Sequence, residues 1–156
     1  REMCELRLAL ESHAAGLAAA NRTDADLREI SLAVAAMRKV TERIEGSTDE
    51  QPHLADLQRA DVRFHIAVMT AAKNALMKSE ILRLHLINRI VLAPTPRSPT
   101  SSDEKAARDA HRRLVLQSHD DIFQAIKRGS AHAAHTAMAA HIQDIINRRV
   151  ESSVAY

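Results

Sequence analysis

The sequence predicts an all-α protein, and two observations carry that prediction. The first is composition: 46% of the 156 residues are hydrophobic, mostly Ala, Leu, Ile and Val, whereas only 2% are aromatic and there are three Gly and four Pro. Scarce Gly and Pro favour uninterrupted helices. The second is periodicity, because apolar residues recur at helical spacing and almost nowhere alternate as in a strand. The length suffices for one domain with its own core.

The first two helices are predicted from their apolar stripes and their breaks. The first covers Glu2–Ala20, and the segment NRTDAD ends it. Its inward stripe is predicted to be Met3, Leu6, Leu10, Ala14 and Leu17. Thr23 or Asp24 can cap the second helix, which ends at EGSTDEQP. The stripe of this helix comprises Leu27, Ile30, Val34, Met37 and Ile44.

The second half of the chain predicts two further helices, a loop and a helical hairpin. The third and fourth helices cover about 53–72 and 74–92, the fourth with a stripe of Leu76, Leu84, Ile87 and Val91. The segment APTPRSPTSS holds three of the four prolines and is predicted to be a loop. The stretch 103–128 forms one helix or two, Gly129 stops it, and Ser130 can cap the returning helix.

Charge and cysteine content exclude several classes of protein. The formal net charge is +2, with Lys and Arg nearly matched by Asp and Glu, so nothing demands a nucleic-acid surface. The single Cys4 cannot form an internal disulfide, and no apolar stretch is long enough to span a membrane or act as a signal sequence. A cytoplasmic location without membrane contact is expected. The chain starts at Arg1 within a predicted helix, so we expect a fragment of a longer protein.

Polar residues interrupt the apolar stripe of the third helix. Asp61 and His65 are four residues apart on the face that carries Phe64 and Val68. His119 precedes Gly129 by ten residues and His141 follows Ser130 by eleven, so the two imidazoles lie at similar heights in an antiparallel pair. Packing the third helix against the hairpin would bring one carboxylate and three imidazoles together. That set suits a divalent transition metal, and ligation would remove the burial penalty.

Two simpler interpretations stay open at this point. Asp61 and His65 could form a buried pair, and a histidine on an apolar face is often bonded to a backbone carbonyl. The remaining histidines are interpreted as surface or packing residues, with His85 the hardest to place. These are His13, His53, His85, His111, His132 and His135.

Several segments resemble one protein family over nearly the whole chain. The segments are ELRLALESHAAGLAAANRTDADL, DVRFH followed by AAKN, and SHDDIFQAIKRGSAHAAHTAMAAHI. They are similar to the FCD effector-binding domain of GntR-type bacterial transcription regulators of the FadR-like subfamily. The resemblance implies an antiparallel bundle of six to seven helices around a central metal and effector cavity. Its metal ligands would be Asp61, His65, His119 and His141. The chain departs from the family pattern at Ser118, Asp120 and Ser130, none of which is a proposed ligand.

The resemblance also implies a regulatory function and its partners. Residues 1–156 would form an effector-binding and dimerisation domain, and operator DNA would be bound only by a winged-helix N-terminal domain missing from this sequence. The expected cofactor is one divalent metal per chain, with zinc first and nickel, manganese or iron as alternatives. A small carboxylate effector would add to the metal and meet Arg7 or Arg89. For Arg7, a surface pair with Glu11 is the alternative.

Two other classes of function compete with a sensor. A metal-dependent, hydrolase-like enzyme would use the same open metal position, and a structural helical interaction domain would use the buried polar residues only for packing. The sequence has no HExxH motif, no nucleophile motif and no Gly-rich phosphate loop. A non-enzymatic regulator is therefore the expectation.

Overall fold

The computed structural model describes the backbone of residues 2–91, 99 and 101–154, and the side chains of residues 2–85, 99 and 101–148. Within these ranges the protein is a bundle of six α-helices without strands, as predicted. The helices are α1 (Glu2–Asn21), α2 (Asp24–Glu45), α3 (Gln51–Ala71), α4 (Ala75–Val91), α5 (Ser102–Arg128) and α6 (Ala131–Val154). The stretch 102–128 is thus one helix of 27 residues.

Helix α1 lies at the centre of the bundle and packs against α3, α4, α5 and α6. Its inner surface consists largely of fully buried alanines, which let neighbouring helices approach closely. They are Ala14, Ala15, Ala18 and Ala19. A Cβ atom on Gly16 would lie 3.3 Å from the carbonyl oxygen of Ala131, so this glycine permits the close approach of α6. Helix α2 completes the bundle against α3 and α5.

The predicted helix ends are confirmed by their capping contacts. Thr23 and Asp26 form a capping box at the start of α2. Gly129 ends α5 in the left-handed region at φ 75°, where a residue without a Cβ is favoured. The Ser130 hydroxyl accepts from the Ala133 amide at 3.4 Å, which supports its role as the cap of α6. The hairpin that positions His119 and His141 is therefore fixed by local sequence.

The predicted inner faces need two corrections. On α1, Leu6 is 47% exposed, and the buried face instead contains Cys4, Arg7 and Glu11. The leucine pattern was misleading because the Arg7 and Glu11 charges neutralise each other inside the bundle. On α4, Leu76 is 74% exposed because the inward face starts one residue later and continues through Ile81 and Leu84. The predicted positions Ile87 and Val91 lie outside the described side chains.

The stripes predicted for α2 and α3 agree with the structure more closely. Ile30, Val34, Met37 and Ile44 are buried along α2. On α3, Phe64 and Val68 are fully buried, and His65 lies among them with no exposure. Across the described helices, none is both long enough and apolar enough to serve as a membrane span. Among the polar side chains of α3, His65 therefore lies fully in the interior of the bundle and Asp61 lies partly exposed beside it.

Candidate metal centre

The structure brings the four predicted ligand residues together. Helix α3 supplies Asp61 and His65, α5 supplies His119 and α6 supplies His141. One potential ligand atom from each lies within 4.8 Å of the others. The ring centroids of His119 and His141 are 4.3 Å apart, so the two hairpin imidazoles face each other as their distances from the turn predict. The His65 centroid is 5.4 Å from that of His141.

Hydrogen bonds fix the orientation of the two hairpin imidazoles. His119 Nδ1 is 2.7 Å from the carbonyl oxygen of Val115, which can only accept, so Nδ1 donates. The Ser118 hydroxyl also donates to Val115, at 2.7 Å. Its oxygen is therefore left to accept from His141 Nδ1 at 2.9 Å. In both rings the proton is held on Nδ1, and the lone pair of Nε2 is directed into the cluster.

The three Nε2 atoms of His65, His119 and His141 are buried and lack a hydrogen-bond partner. Such orphaned groups are rare, and each costs about 1 to 3 kcal/mol. Moreover, His119 Nε2 lies 3.1 Å from Asp61 Oδ1, and His65 Nε2 lies 3.8 Å from the same oxygen. When Nδ1 carries the only ring proton, these atoms are all acceptors facing one another. A cation among them would satisfy the whole set, so the residues present fit a divalent metal.

The electrostatic environment prepares the protonation states that metal binding requires. Burial raises the pKa of Asp61, but its close contact with His119 and its attraction to the nearby imidazoles hold it well below its ordinary value. Burial lowers the pKa of His65 and takes that of His141 to about 2. The carboxylate is therefore ionised while these two imidazoles are neutral, and these are the forms that ligate a metal.

A cavity of about 290 Å³ adjoins the cluster between α2, α3 and α5. Asp61, whose side chain is 37% exposed, lies on the cavity wall. Most of the lining is apolar, with polar groups from Thr41, Gln58, His111 and Arg112. A small molecule could therefore approach the Asp61 side of the cluster without unfolding the bundle.

A second buried polar cluster lies on the other side of His65. Glu11 Oε1 accepts from Arg7 Nε at 2.6 Å and contacts His85 Nε2 at 3.1 Å, while Glu11 Oε2 is 2.6 Å from His65 Nδ1. Glu11 is fully buried, and Arg7 is only 5% exposed. Burial raises the Glu11 pKa, but attraction to His65 together with the close contacts of His65 and His85 holds it well below its ordinary value. The carboxylate is therefore charged.

This second cluster was only partly visible in the sequence. The alternative interpretation, a surface pair of Arg7 and Glu11, names the correct partner. Its location is wrong, because both side chains are buried. The sequence interpretation did not assign Glu11 or His85 to the site. For Glu11 a signal was present, since it shares a helical face with Arg7 and the small residue Ala15. The other predicted effector residue, Arg89, lies outside the described side chains.

The structure thus defines a helical bundle with a buried histidine cluster beside a cavity, an arrangement that can hold a metal and a small ligand. The chain belongs to the FCD domain family, whose model matches residues 2–144. It is 30% identical to the HTH-type transcriptional regulator LutR of Bacillus subtilis (strain 168), over 99% of this chain. It spans only 65% of that relative's length. The solved structure of E. coli McbR/YncC superposes with a TM-score of 0.71 at 18% identity, covering 97% of this chain and 64% of that chain.

These comparisons confirm the expected family and fold. The chain is an FCD domain, as the resemblance implied. One relative, LutR, is described as an HTH-type transcriptional regulator, which agrees with the expectation of a non-enzymatic regulator. The likeness to McbR/YncC supports the all-α fold alone, because the sequence identity is low.

Proposed function

We propose that this FCD domain senses a small organic acid through one divalent transition metal bound by Asp61, His65, His119 and His141. The observation that carries the proposal is the convergence of three buried, unpartnered Nε2 atoms on one ionised carboxylate. A structural histidine is satisfied by its carbonyl bond. Here the carbonyl bond of His119 uses only Nδ1 and leaves Nε2 without a partner.

Zinc is the first choice for the metal. Three nitrogens and one carboxylate oxygen form a competent zinc site, and nickel, manganese and iron accept the same donors. When bound, the metal would supply a Lewis-acidic position at which the carboxylate of an effector can replace water. The cavity beside Asp61 offers space for the rest of such a molecule.

The effector's negative charge requires a cation. Arg7 is the candidate from the sequence, although it lies on the other side of His65 from the cavity, whereas Arg112 lies in the cavity wall itself. Arg7 is buried and connected to His65 through Glu11. Its pairing with Glu11 limits the charge available to an effector, so the contribution of Arg7 needs a direct test. Arg89 remains a second candidate.

The regulatory output would be a change in DNA binding. We propose that a homodimer of the parent protein carries winged-helix domains, and that effector binding favours one arrangement of the bundle. Only a ligand with different affinities for two arrangements can shift their populations. The description of LutR as an HTH-type regulator supports this assignment.

Metal binding is tested first, with protein purified without added metal. Elemental analysis should find about one divalent metal per chain, or titration calorimetry should show that the protein takes up one added zinc. His119→Ala should abolish tight binding, whereas His132→Ala, at an exposed position on α6, should not. A folded wild-type protein that carries no metal and refuses zinc and nickel would refute the metal proposal.

Effector binding is tested by thermal unfolding with a panel of small mono- and dicarboxylic acids and their uncharged amides. An acid at roughly 100 times its dissociation constant should stabilise the zinc-loaded protein by about 2.7 kcal/mol, or about 5 to 11 °C for a chain of this size. The amides should have little effect. Arg7→Ala should reduce the stabilisation by the acid. Gln58→Ala, in the cavity wall, tests whether the acid occupies the cavity. Equal stabilisation of the metal-free protein would place the acid away from the metal.

A further inference from the structure

We propose that Glu11 is the positioning residue of the metal site, because it holds His65 in the orientation and the ring tautomer that ligation requires. The inference rests on the proposed metal function. Glu11 lies on α1, whereas the four candidate ligands come from α3, α5 and α6. It is nevertheless fully buried and separated from His65 Nδ1 by 2.6 Å.

The two oxygens of Glu11 have different partners. Oε1 is occupied by Arg7 Nε and His85 Nε2, at 2.6 and 3.1 Å. Oε2 is left for His65 Nδ1, although the contact departs from linear hydrogen-bond alignment in the structure. The terminal torsion of a glutamate is soft, so a small rotation of the carboxylate can align the bond. The arrangement places the ring proton on Nδ1 and the lone pair on Nε2.

His65 thus completes a pattern shared by all three imidazoles. His119 is fixed through Nδ1 by the Val115 carbonyl, and His141 is fixed through Nδ1 by the Ser118 hydroxyl. Only His65 has a charged acceptor at that position. A carboxylate behind a ligating histidine orients the ring and raises its basicity, and loss of such a partner typically weakens metal binding 10- to 100-fold.

The same geometry argues against a second metal between Glu11, His65 and His85, although these three also lie close enough to hold one. The Arg7 guanidinium is 2.6 Å from the shared carboxylate and already supplies a positive charge there. A second cation would have to approach it in a buried site, where like charges repel strongly. Glu11 is therefore better suited to orient His65 than to ligate.

The test compares Glu11→Gln with Glu50→Gln, which removes the charge of another buried glutamate that pairs with Arg112. Nitrogen-15 NMR of the metal-free wild type should show His65 protonated at Nδ1. In Glu11→Gln, zinc affinity should fall roughly 10- to 100-fold and the His65 tautomer should become mixed. Glu50→Gln should change neither, even where it lowers stability.

Several outcomes would overturn the inference. The first is a wild-type His65 protonated at Nε2, which is measured on the wild type alone. The second is an unchanged zinc affinity in Glu11→Gln. The third is a second zinc per chain that is lost in Glu11→Gln. The tautomer measurement is made without metal. A wild type that binds no zinc therefore refutes the proposed function, while the His65 signal still reports whether Glu11 orients the ring.

Discussion

Replacing His119 with leucine should have opposite effects on stability in the absence and presence of zinc. His119 is fully buried, with its ring edge-on to Phe64 at a centroid distance of 4.7 Å. A leucine side chain can fill much of this apolar surrounding. The substitution removes a buried Nε2 atom that has no hydrogen-bond partner and faces Asp61 Oδ1 at 3.1 Å.

The size of the effect depends on the two nitrogens of the imidazole, which act in opposite directions. Removing the orphaned Nε2 acceptor should relieve about 1 to 3 kcal/mol, whereas losing the Nδ1 bond to Val115 costs about 0.5 to 1.5 kcal/mol. The Val115 carbonyl keeps the bond from the Ser118 hydroxyl, and Asp61 is partly exposed to solvent. Metal-free His119→Leu should therefore be about 1 kcal/mol more stable than the wild type, within limits of about 0.5 kcal/mol less stable and about 2.5 kcal/mol more stable.

Zinc should reverse this order. At roughly 100 times its dissociation constant it should stabilise the wild type by about 2.7 kcal/mol, while His119→Leu gains little. The assay is urea unfolding followed by far-UV circular dichroism, with and without zinc, and exposed His132→Leu controls for loss of a histidine. A metal-free variant destabilised by more than about 2 kcal/mol would show that His119 is a satisfied structural residue. An equal zinc effect in both proteins would show that His119 is not a ligand.

Three further predictions concern the framework of the site. Burial raises the Asp26 pKa, but the hydrogen bond from Lys73 holds this pKa below its ordinary value of 3.8. The ionised Asp26 side chain therefore stabilises the fold above about pH 3.8, and this contribution is lost as the pH falls below that value. Asp26→Asn should cost about 1 to 3 kcal/mol at neutral pH and flatten the acid limb of urea unfolding as the pH falls below about 4. Gly129→Ala should cost about 1 kcal/mol in urea unfolding because φ is 75°, whereas Gly46→Ala, at φ −80°, should be nearly neutral. Phe64→Ala should cost about 3 to 5 kcal/mol in the metal-free protein by the same assay, and a loss below about 1 kcal/mol would contradict its place in the core.

The sequence was most informative where local chemistry decides the structure. Thr23, Gly129 and Ser130 mark helix ends through contacts with residues a few positions away, so the hairpin could be predicted without tertiary information. The hairpin then places His119 and His141 opposite each other. The spacing of Asp61 and His65 on one helix similarly fixed their common direction.

The sequence was least informative where burial depends on partners from distant segments. Glu11 looked like the surface partner of Arg7, because a charged pair four residues apart is usually solvent-exposed. Its burial depends on His65 and His85, which lie more than fifty residues away along the chain. For the same reason, periodicity placed the leucines of α1 on the buried face. A count of apolar residues cannot identify charged residues that neutralise each other inside the bundle.

The placement of the candidate site also explains how one small ligand could influence a whole domain. The four candidate ligand residues connect α3, α5 and α6, and Glu11 extends the network to α1 and, through His85, to α4. Helix α2 joins through Met37 and Thr41, which line the cavity beside Asp61. Each helix of the described bundle therefore touches the cluster, its supporting carboxylate or the adjoining cavity. Packed helices move as discrete bodies, so a ligand that prefers one position of α3 relative to the hairpin also biases α1 and α4. A sensor domain needs such coupling, and these buried contacts are the route by which we expect the bundle to provide it.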